Sequence, residues 1–286
     1  HQGRYAEAME QFKLASDRAY YSDAFWQQRD AWLSNNMIWF VVLLFVLMIA
    51  AVVLAFLRRG KPRRVESYIK PIPKTPGKRF WHDITYFGYM LRHPVDGYYY
   101  LKRGEAGSVL SATVMYLLVF IVYVADTMGR GFIFSFSDGN ATGIALMGSA
   151  FFLLCGLFVI GNYLVASINE GEGSLKNIYM MLPYALSPYL VITPFVVIAS
   201  YILTQNEAFI LYFAWLVALV WSVALIFIGV REDHAYTFME TLKNILLTLF
   251  FIVIALILMA VMYLLWSQVF AYFRDTVMEV LYRAQY

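Results

Sequence analysis

The sequence predicts an all-α fold, a polytopic membrane helical bundle of six transmembrane helices with amphipathic helices at the membrane interface. The first observation is composition, because 61% of the 286 residues are hydrophobic and only 14% are charged, unlike a soluble domain. The second is the recurrence of apolar runs near the ~20 residues that cross a hydrocarbon core of ~30 Å. The predicted spans are residues 37–57, 109–127, 144–166, 186–204, 210–230 and 245–266.

The distribution of lysine and arginine predicts how these spans are oriented. Residues 58–108 carry 12 of the 22 basic residues, and cytoplasmic loops are the loops enriched in Lys and Arg. Placing this segment in the cytoplasm puts the loops 169–185 and 231–244 on the same side. Six spans then place both termini outside, in a multi-pass protein of the cell membrane.

Residues 1–36 are predicted to form a helical arm outside the membrane. Apolar or small residues recur at helical spacing, at positions Tyr5, Ala8, Met9, Phe12 and Ala15. This spacing resembles the second helix of a tetratricopeptide repeat, and "SDAFWQQRDAWL" could be the first helix of another. The arm is therefore interpreted as the end of a larger extracellular helical module. The alternative is an ordinary amphipathic helix that leads into the first span, 37–57.

The stretch 58–79 is basic and rich in proline, which predicts an extended cytoplasmic linker. Its first five basic residues are candidates for attraction to anionic lipid head groups, namely Arg58, Arg59, Lys61, Arg63 and Arg64. The alternative is that they only mark the cytoplasmic side of the first span. Nucleic acid is not an expected partner, because the cluster is tethered at the bilayer without a recognition fold.

Residues 80–92 predict a helix that lies in the membrane interface. Its apolar face consists of Phe80, Ile84, Phe87 and Leu91, and Pro94 is expected to end it. The rings at head-group depth are predicted to be Trp81, Tyr86 and Tyr89.

Residues 182–195 contain three prolines, which predict where helices end, begin or bend. Gly171 and Gly173 break the preceding helix, and Ser174 is expected to cap a second interfacial helix, 174–182, that Pro183 ends. Ser187 is predicted as the N-cap of the next span, with Pro188 in its first turn. Pro194 falls inside that span and predicts a bend.

Residues 80–266 resemble the Yip1 domain family. The resemblance rests on His93-Pro94 at an inner-leaflet helix, on a block of five spans, on the run "MMLPYALSPYLVITP" and on "WLVALVWSVALIFIGVREDH". The aspartate- and proline-rich cytosolic signature of the eukaryotic members is absent, so Rab GTPase binding is not implied. The extra N-terminal span and outer arm look more like the bacterial branch, which implies an accessory role beside a sugar-type ABC importer.

No catalytic, cofactor-binding or metal-ligating pattern occurs in the sequence, so the chain is expected not to be an enzyme and to need no cofactor. The four histidines are interpreted as interfacial residues that anchor the chain or form hydrogen bonds, and Cys155, the single cysteine, as a small buried hydrophobe. Polar residues in or beside spans are functional candidates by default, and they are Asp126, Arg130, Asn162 and Thr193. Asp126 is expected to pair with Arg130, four residues on.

The tail, 267–286, is predicted to be an amphipathic helix outside the membrane. Its apolar positions are Phe270, Phe273, Val277, Val280 and Leu281, and its polar positions are Arg274, Asp275, Glu279 and Arg283. It could lie on the outer leaflet or dock a partner.

Three functions follow as hypotheses. The first is a scaffold or accessory subunit that packs against a membrane protein such as an ABC-type permease. The second is a stand-alone transporter or channel, which requires a polar cavity around Asp126, Asn162 and Thr193. The third is a membrane-shaping or trafficking factor that acts through the interfacial helices 80–92 and 174–182.

Overall fold

The computed structural model describes residues 4–59, 75–135 and 141–284, and this part of the chain contains no β-strand. The helices are α1 Tyr5–Leu14, α2 Arg18–Arg59, α3 Pro76–Thr85, α4 Phe87–Met90, α5 Pro94–Lys102, α6 Val109–Met128, α7 Ala141–Ile168, α8 Leu175–Ala185, α9 Ser187–Ala199, α10 Ala208–His234 and α11 Phe238–Ala284. A 3₁₀ turn, Gln205–Glu207, precedes α10. The all-α prediction is confirmed.

Among the described residues, 5 helical stretches are long and apolar enough to cross a membrane. They correspond to the predicted block of five spans and are Val109–Met128, Thr142–Ile168, Leu175–Ala199, Gln205–His234 and Phe238–Glu279. The first predicted span, 37–57, lies within α2, but most of its side chains lie outside the described residues. The total of six spans therefore stays a prediction.

The prediction that Pro183 ends an interfacial helix is wrong. Ser174 caps α8 as expected, because its Oγ accepts a hydrogen bond of 3.2 Å from the N–H of Asn177. The helix then continues through Pro183 to Ala185. Most of its residues are buried, with α5 and α7 packed against the helix. A side chain of α6 donates a hydrogen bond where the proline removes a backbone donor.

The next helix, α9, begins at Ser187 with Pro188 in its first turn and Pro194 inside it, as predicted. The predicted N-cap role of Ser187 is wrong. Its Oγ is buried without a hydrogen-bond partner among the described residues, because α8 ends only two residues earlier and the backbone is already helical. The helix ends at Ala199, before the predicted limit at residue 204.

The interfacial helix predicted over 80–92 is divided into α3 and α4 by a turn at Tyr86. Pro94 opens a further helix, α5, because proline fits the first helical position. Trp81 is exposed, but Tyr86 is buried and donates a hydrogen bond of 3.0 Å to the Gly97 carbonyl. Burial raises the pKa of the Tyr86 phenol. The ring is enclosed by protein because α5 folds back over it, and its place at head-group depth stays a prediction.

The described chain forms two compact units. The first comprises the described residues within His1–His82, Ile121–Asn140 and Pro188–Val220, and the second comprises those within Asp83–Phe120, Ala141–Ser187 and Trp221–Tyr286. The buried core of the first consists of Ile133, Phe134, Val196 and Leu211. The largest fully buried side chains of the second include Met90, Met115, Ile178, Met181 and Tyr184.

The arm belongs to the first unit. Helix α1 has no buried residue, and the chain turns at residues 15–17 into α2. The stretch 22–33 is not a separate helix, because α2 continues without a break to Arg59. A tetratricopeptide-like character of this arm stays a prediction.

Candidate functional sites

The carboxylate of Asp126 is the centre of a polar cluster in the first unit. Arg130 donates two hydrogen bonds to its Oδ1, at 3.0 Å from Nε and 2.8 Å from Nη2. The hydroxyl of Tyr189, beside Pro188, donates to its Oδ2 at 3.3 Å. Thr193 is buried one turn further along α9. The predicted pairing of Asp126 with Arg130 is confirmed, and the buried charge is compensated within the cluster.

A second polar cluster is fully buried in the second unit and centres on Asn162. Nε2 of His234 lies 2.9 Å from Oδ1 of Asn162. The Nδ2 group of Asn162 donates to Oδ1 of Asn244 at 2.6 Å and to Oγ1 of Thr248 at 3.4 Å. Asn162 was predicted as a candidate, but its partners were not.

His234 forms hydrogen bonds, which was one of the two roles predicted for the histidines, but it is not a surface anchor, since only 1% of it is exposed. Its Nδ1 accepts a hydrogen bond of 3.1 Å from the N–H of Gly173. Nδ1 must therefore be unprotonated, which places the proton of the neutral ring on Nε2, facing Asn162. The signal that could have found this cluster is the polar pair Asn244 and Thr248, four residues apart on one face of an apolar helix.

Gly173 and Gly171 do more than break a helix. A Cβ atom on Gly173 would lie 2.5 Å from Cε1 of His234, and one on Gly171 would lie 2.7 Å from its Nδ1. The same loop is held by Glu172, whose carboxylate accepts a bond of 2.9 Å from Lys102 on α5. That bond lowers the pKa of Glu172. Glycine is thus required where the loop passes over the histidine ring.

The hypothesis of a polar cavity around Asp126, Asn162 and Thr193 gains no support within either unit. Asp126 and Thr193 belong to the first unit, and Asn162 belongs to the second, where its side-chain groups are bonded to buried neighbours. Asp126 and Asn162 are thus each bonded within their own cluster, whereas the Nδ2 group of Asn244 is buried without a hydrogen-bond partner among the described residues.

The second unit also contains an apolar groove with a volume of about 670 Å³. Its walls are the first turns of α6, the middle of α7 and the first turns of α8. Cys155 lines this groove and is half-buried, so it does not lie in the interior as predicted. The side chains of the lining that carry a hydroxyl or an ammonium group lie on α8 or face it, and they are Thr113, Tyr116, Lys176 and Tyr179.

A clamp holds α2 to the rest of the first unit. Arg29 donates two bonds of 2.7 Å to the carboxylate of Glu207 and one of 2.8 Å to the carbonyl of Ile202. Ser22 accepts a bond of 3.0 Å from the N–H of Gln205. Arg18 donates to the carbonyl of Ser135 at 2.9 Å. These contacts tie the arm to the segment after α6 and to the turn before α10.

The basic lipid-binding candidates are not described by the structure. Arg58 and Arg59 close α2, but their side chains lie outside the described residues, as do Lys61, Arg63 and Arg64 entirely. Their role stays a prediction.

The helices and their apolar surfaces define an integral, multi-pass membrane protein. A Yip1 domain model matches residues 88–262, and the chain belongs to the Yip1 domain family. No curated protein and no solved structure matches the chain significantly. The match lies within the block 80–266 from which the resemblance was predicted, whereas the bacterial branch stays a prediction.

Proposed function

We propose that this protein is a non-enzymatic membrane scaffold or accessory subunit that holds a membrane partner through α11. The observation that carries the proposal is the length of this helix. It has 47 residues, which corresponds to about 70 Å at ~1.5 Å per residue. A span needs only ~20 residues, so the helix extends well beyond a hydrocarbon core.

The C-terminal end of α11 favours the interpretation that this tail docks a protein and is not left unattached. Phe270, Phe273 and Val277 are all exposed, and their spacing places them on one face of the helix. Exposed apolar patches of this kind outside a hydrocarbon core mark interaction sites. The side chains of Val280 and Leu281, predicted on the same face, lie outside the described residues.

The partner class that we propose is an ABC-type permease with its ATPase. This choice comes from the likeness of the N-terminal span and arm to the bacterial branch of the family. A scaffold that packs laterally against a permease needs little polar surface on its spans. This agrees with the two clusters, in which polar side chains are bonded to one another.

The experiment is affinity purification of the full-length protein from native membranes in mild detergent, with mass spectrometry of the co-eluting chains. We expect stoichiometric permease and ATPase subunits with the natural sequence. The double variant Phe270→Ser, Phe273→Ser should lose them. The matched control is Gln268→Ser, Tyr272→Ser, which changes two exposed residues on the other side of the same turns. A solitary protein, or equal losses in both variants, would contradict the proposal.

A second candidate function is a membrane-shaping or trafficking factor, which agrees with membership of the Yip1 domain family. The observation that favours it is the exposed ring of Trp81 on α3, beside the half-buried Phe80. If α3 inserts into the interface, Trp81→Ala should reduce vesicle tubulation by the reconstituted protein. Unchanged tubulation in that variant would exclude α3 as the shaping element.

A further inference from the structure

The apolar groove of the second unit is open along its side. Residues on its rims are exposed, among them Leu117 of α6, Phe152 and Ile160 of α7, and Leu175 of α8. From Val109 to Leu117 the groove follows α6 for about 12 Å, at ~1.5 Å per residue. Water is a poor occupant of such a surface, because apolar walls give it no hydrogen-bond partners. Hydrocarbon is the occupant that the walls fit.

The polar end of the groove differs from the rest. The hydroxyls of Thr113 and Tyr179 lie 2.8 Å apart, and Thr113 donates its proton to the carbonyl of Val109 at 2.9 Å. Tyr179 is therefore the donor to Thr113, and both hydroxyl protons are used. Lys176 is exposed and has no ion-pair partner among the residues that the structure describes. The ammonium of Lys176 is thus the group at this end that can attract an anion.

We propose that the groove binds an anionic phospholipid, with one acyl chain along α6 and α7 and its phosphate beside Lys176. A lipid joins the two chemistries that the groove presents, an apolar wall and a cation at one end. The loop before α8 lies on the predicted cytoplasmic side, where anionic lipids are concentrated. A groove of about two helical turns is short for a partner's transmembrane helix, which packs along most of a span.

The chain provides two positions that make the groove testable. A Cβ atom on Gly156 meets nothing within 4 Å, and Gly156 lines the groove, so Gly156→Leu is the variant chosen to place a side chain in the groove. Gly88, in α4, has the same open surroundings and does not line the groove, so Gly88→Leu is the matched control. Lys176→Gln removes the cation, and Lys243→Gln removes an exposed cation elsewhere.

The experiment uses the full-length protein in nanodiscs that contain a phospholipid with a photoactivatable acyl chain. Adducts on groove peptides are quantified by mass spectrometry for phosphatidylglycerol and phosphatidylcholine. We expect phosphatidylglycerol to be preferred, and Lys176→Gln to reduce that preference about fivefold, the ratio for ~1 kcal/mol per basic residue. Gly156→Leu should reduce adducts of both lipids, whereas Gly88→Leu and Lys243→Gln should change neither yield nor preference.

Three results would overturn the proposal. One is an equal yield for both lipids with the natural sequence, and another is a preference that Lys176→Gln leaves intact. The third comes from native membranes, where a photoreactive maleimide on Cys155, the single cysteine of the chain, probes the occupant directly. An adduct with a protein chain in place of lipid would show that a partner fills the groove.

Discussion

The hydroxyl of Tyr116 donates a hydrogen bond of 3.1 Å to the backbone carbonyl of Tyr179. Tyr179 lies four residues before Pro183, so its carbonyl is the acceptor that proline, without an N–H, leaves unpaired. A side chain of α6 replaces the missing backbone donor of α8. This bond explains how a proline remains inside a buried helix, since an unpaired carbonyl there costs free energy.

Tyr116→Phe is expected to lower the free energy of unfolding by about 1–3 kcal/mol, because it leaves the Tyr179 carbonyl unsatisfied. The cost should shrink in the background of Pro183→Ala, which restores a backbone N–H to the helix. The measurement is a double-mutant cycle on unfolding in detergent. Equal costs in both backgrounds would show that the bond does not compensate for the proline.

Gly173→Ala is expected to destabilise the protein by about 1–3 kcal/mol, because its Cβ atom would lie 2.5 Å from His234. Gly156→Ala is the control, since its Cβ atom would enter open space in a helix. That control should be neutral or stabilising by up to ~1 kcal/mol. Thermal unfolding of both variants in one detergent compares them. A tolerated Gly173→Ala would mean that the loop over His234 is adaptable.

His234 is expected to be a neutral ring with its proton on Nε2, because Nδ1 accepts from Gly173 at 3.1 Å. Nitrogen chemical shifts of histidine-labelled protein in bilayers distinguish the two tautomers. His234→Phe identifies the signal, and His93 and His82 provide reference signals from other parts of the second and first units. A proton on Nδ1 would contradict the hydrogen bond to Gly173 and the orientation of Asn162.

Arg29→Gln is expected to loosen the first half of α2, because it removes the bidentate pair with Glu207 and the bond to Ile202. Hydrogen exchange of residues 18–34 should accelerate about tenfold, which corresponds to ~1.4 kcal/mol. Arg4→Gln is the control, because its pair with Glu7 is largely exposed at 68% and 71% and such pairs contribute little. Unchanged exchange with Arg29→Gln would show that the clamp does not hold the arm.

Asp126→Asn separates the scaffold from the transporter hypothesis. It is expected to lower the free energy of unfolding by about 3 kcal/mol, because it leaves the half-buried Arg130 without its carboxylate. Adding Arg130→Gln should recover part of that loss. In proteoliposomes, neither variant should change solute flux if the cluster is structural. Flux that the natural sequence supports and Asp126→Asn abolishes would favour a transporter.

The sequence by itself determined the membrane class, the all-helical fold, the block of five spans and the family. Apolar length and composition decide these properties, because a chain in lipid must satisfy its backbone within each helix. It also determined the local pairs, such as Asp126 with Arg130 and the cap at Ser174. Both depend on residues three or four positions apart, which helical geometry brings together.

Only the tertiary structure decided what meets across helices. The passage of α8 through Pro183 depends on Tyr116, 63 residues away from the carbonyl that it serves. The burial of His234 depends on Gly173 and Asn162, and the attachment of the arm depends on Glu207. Local spacing cannot predict such contacts, because each side chain is also compatible with an exposed position at the membrane surface. The packing of neighbouring helices is what makes one of these positions the more stable.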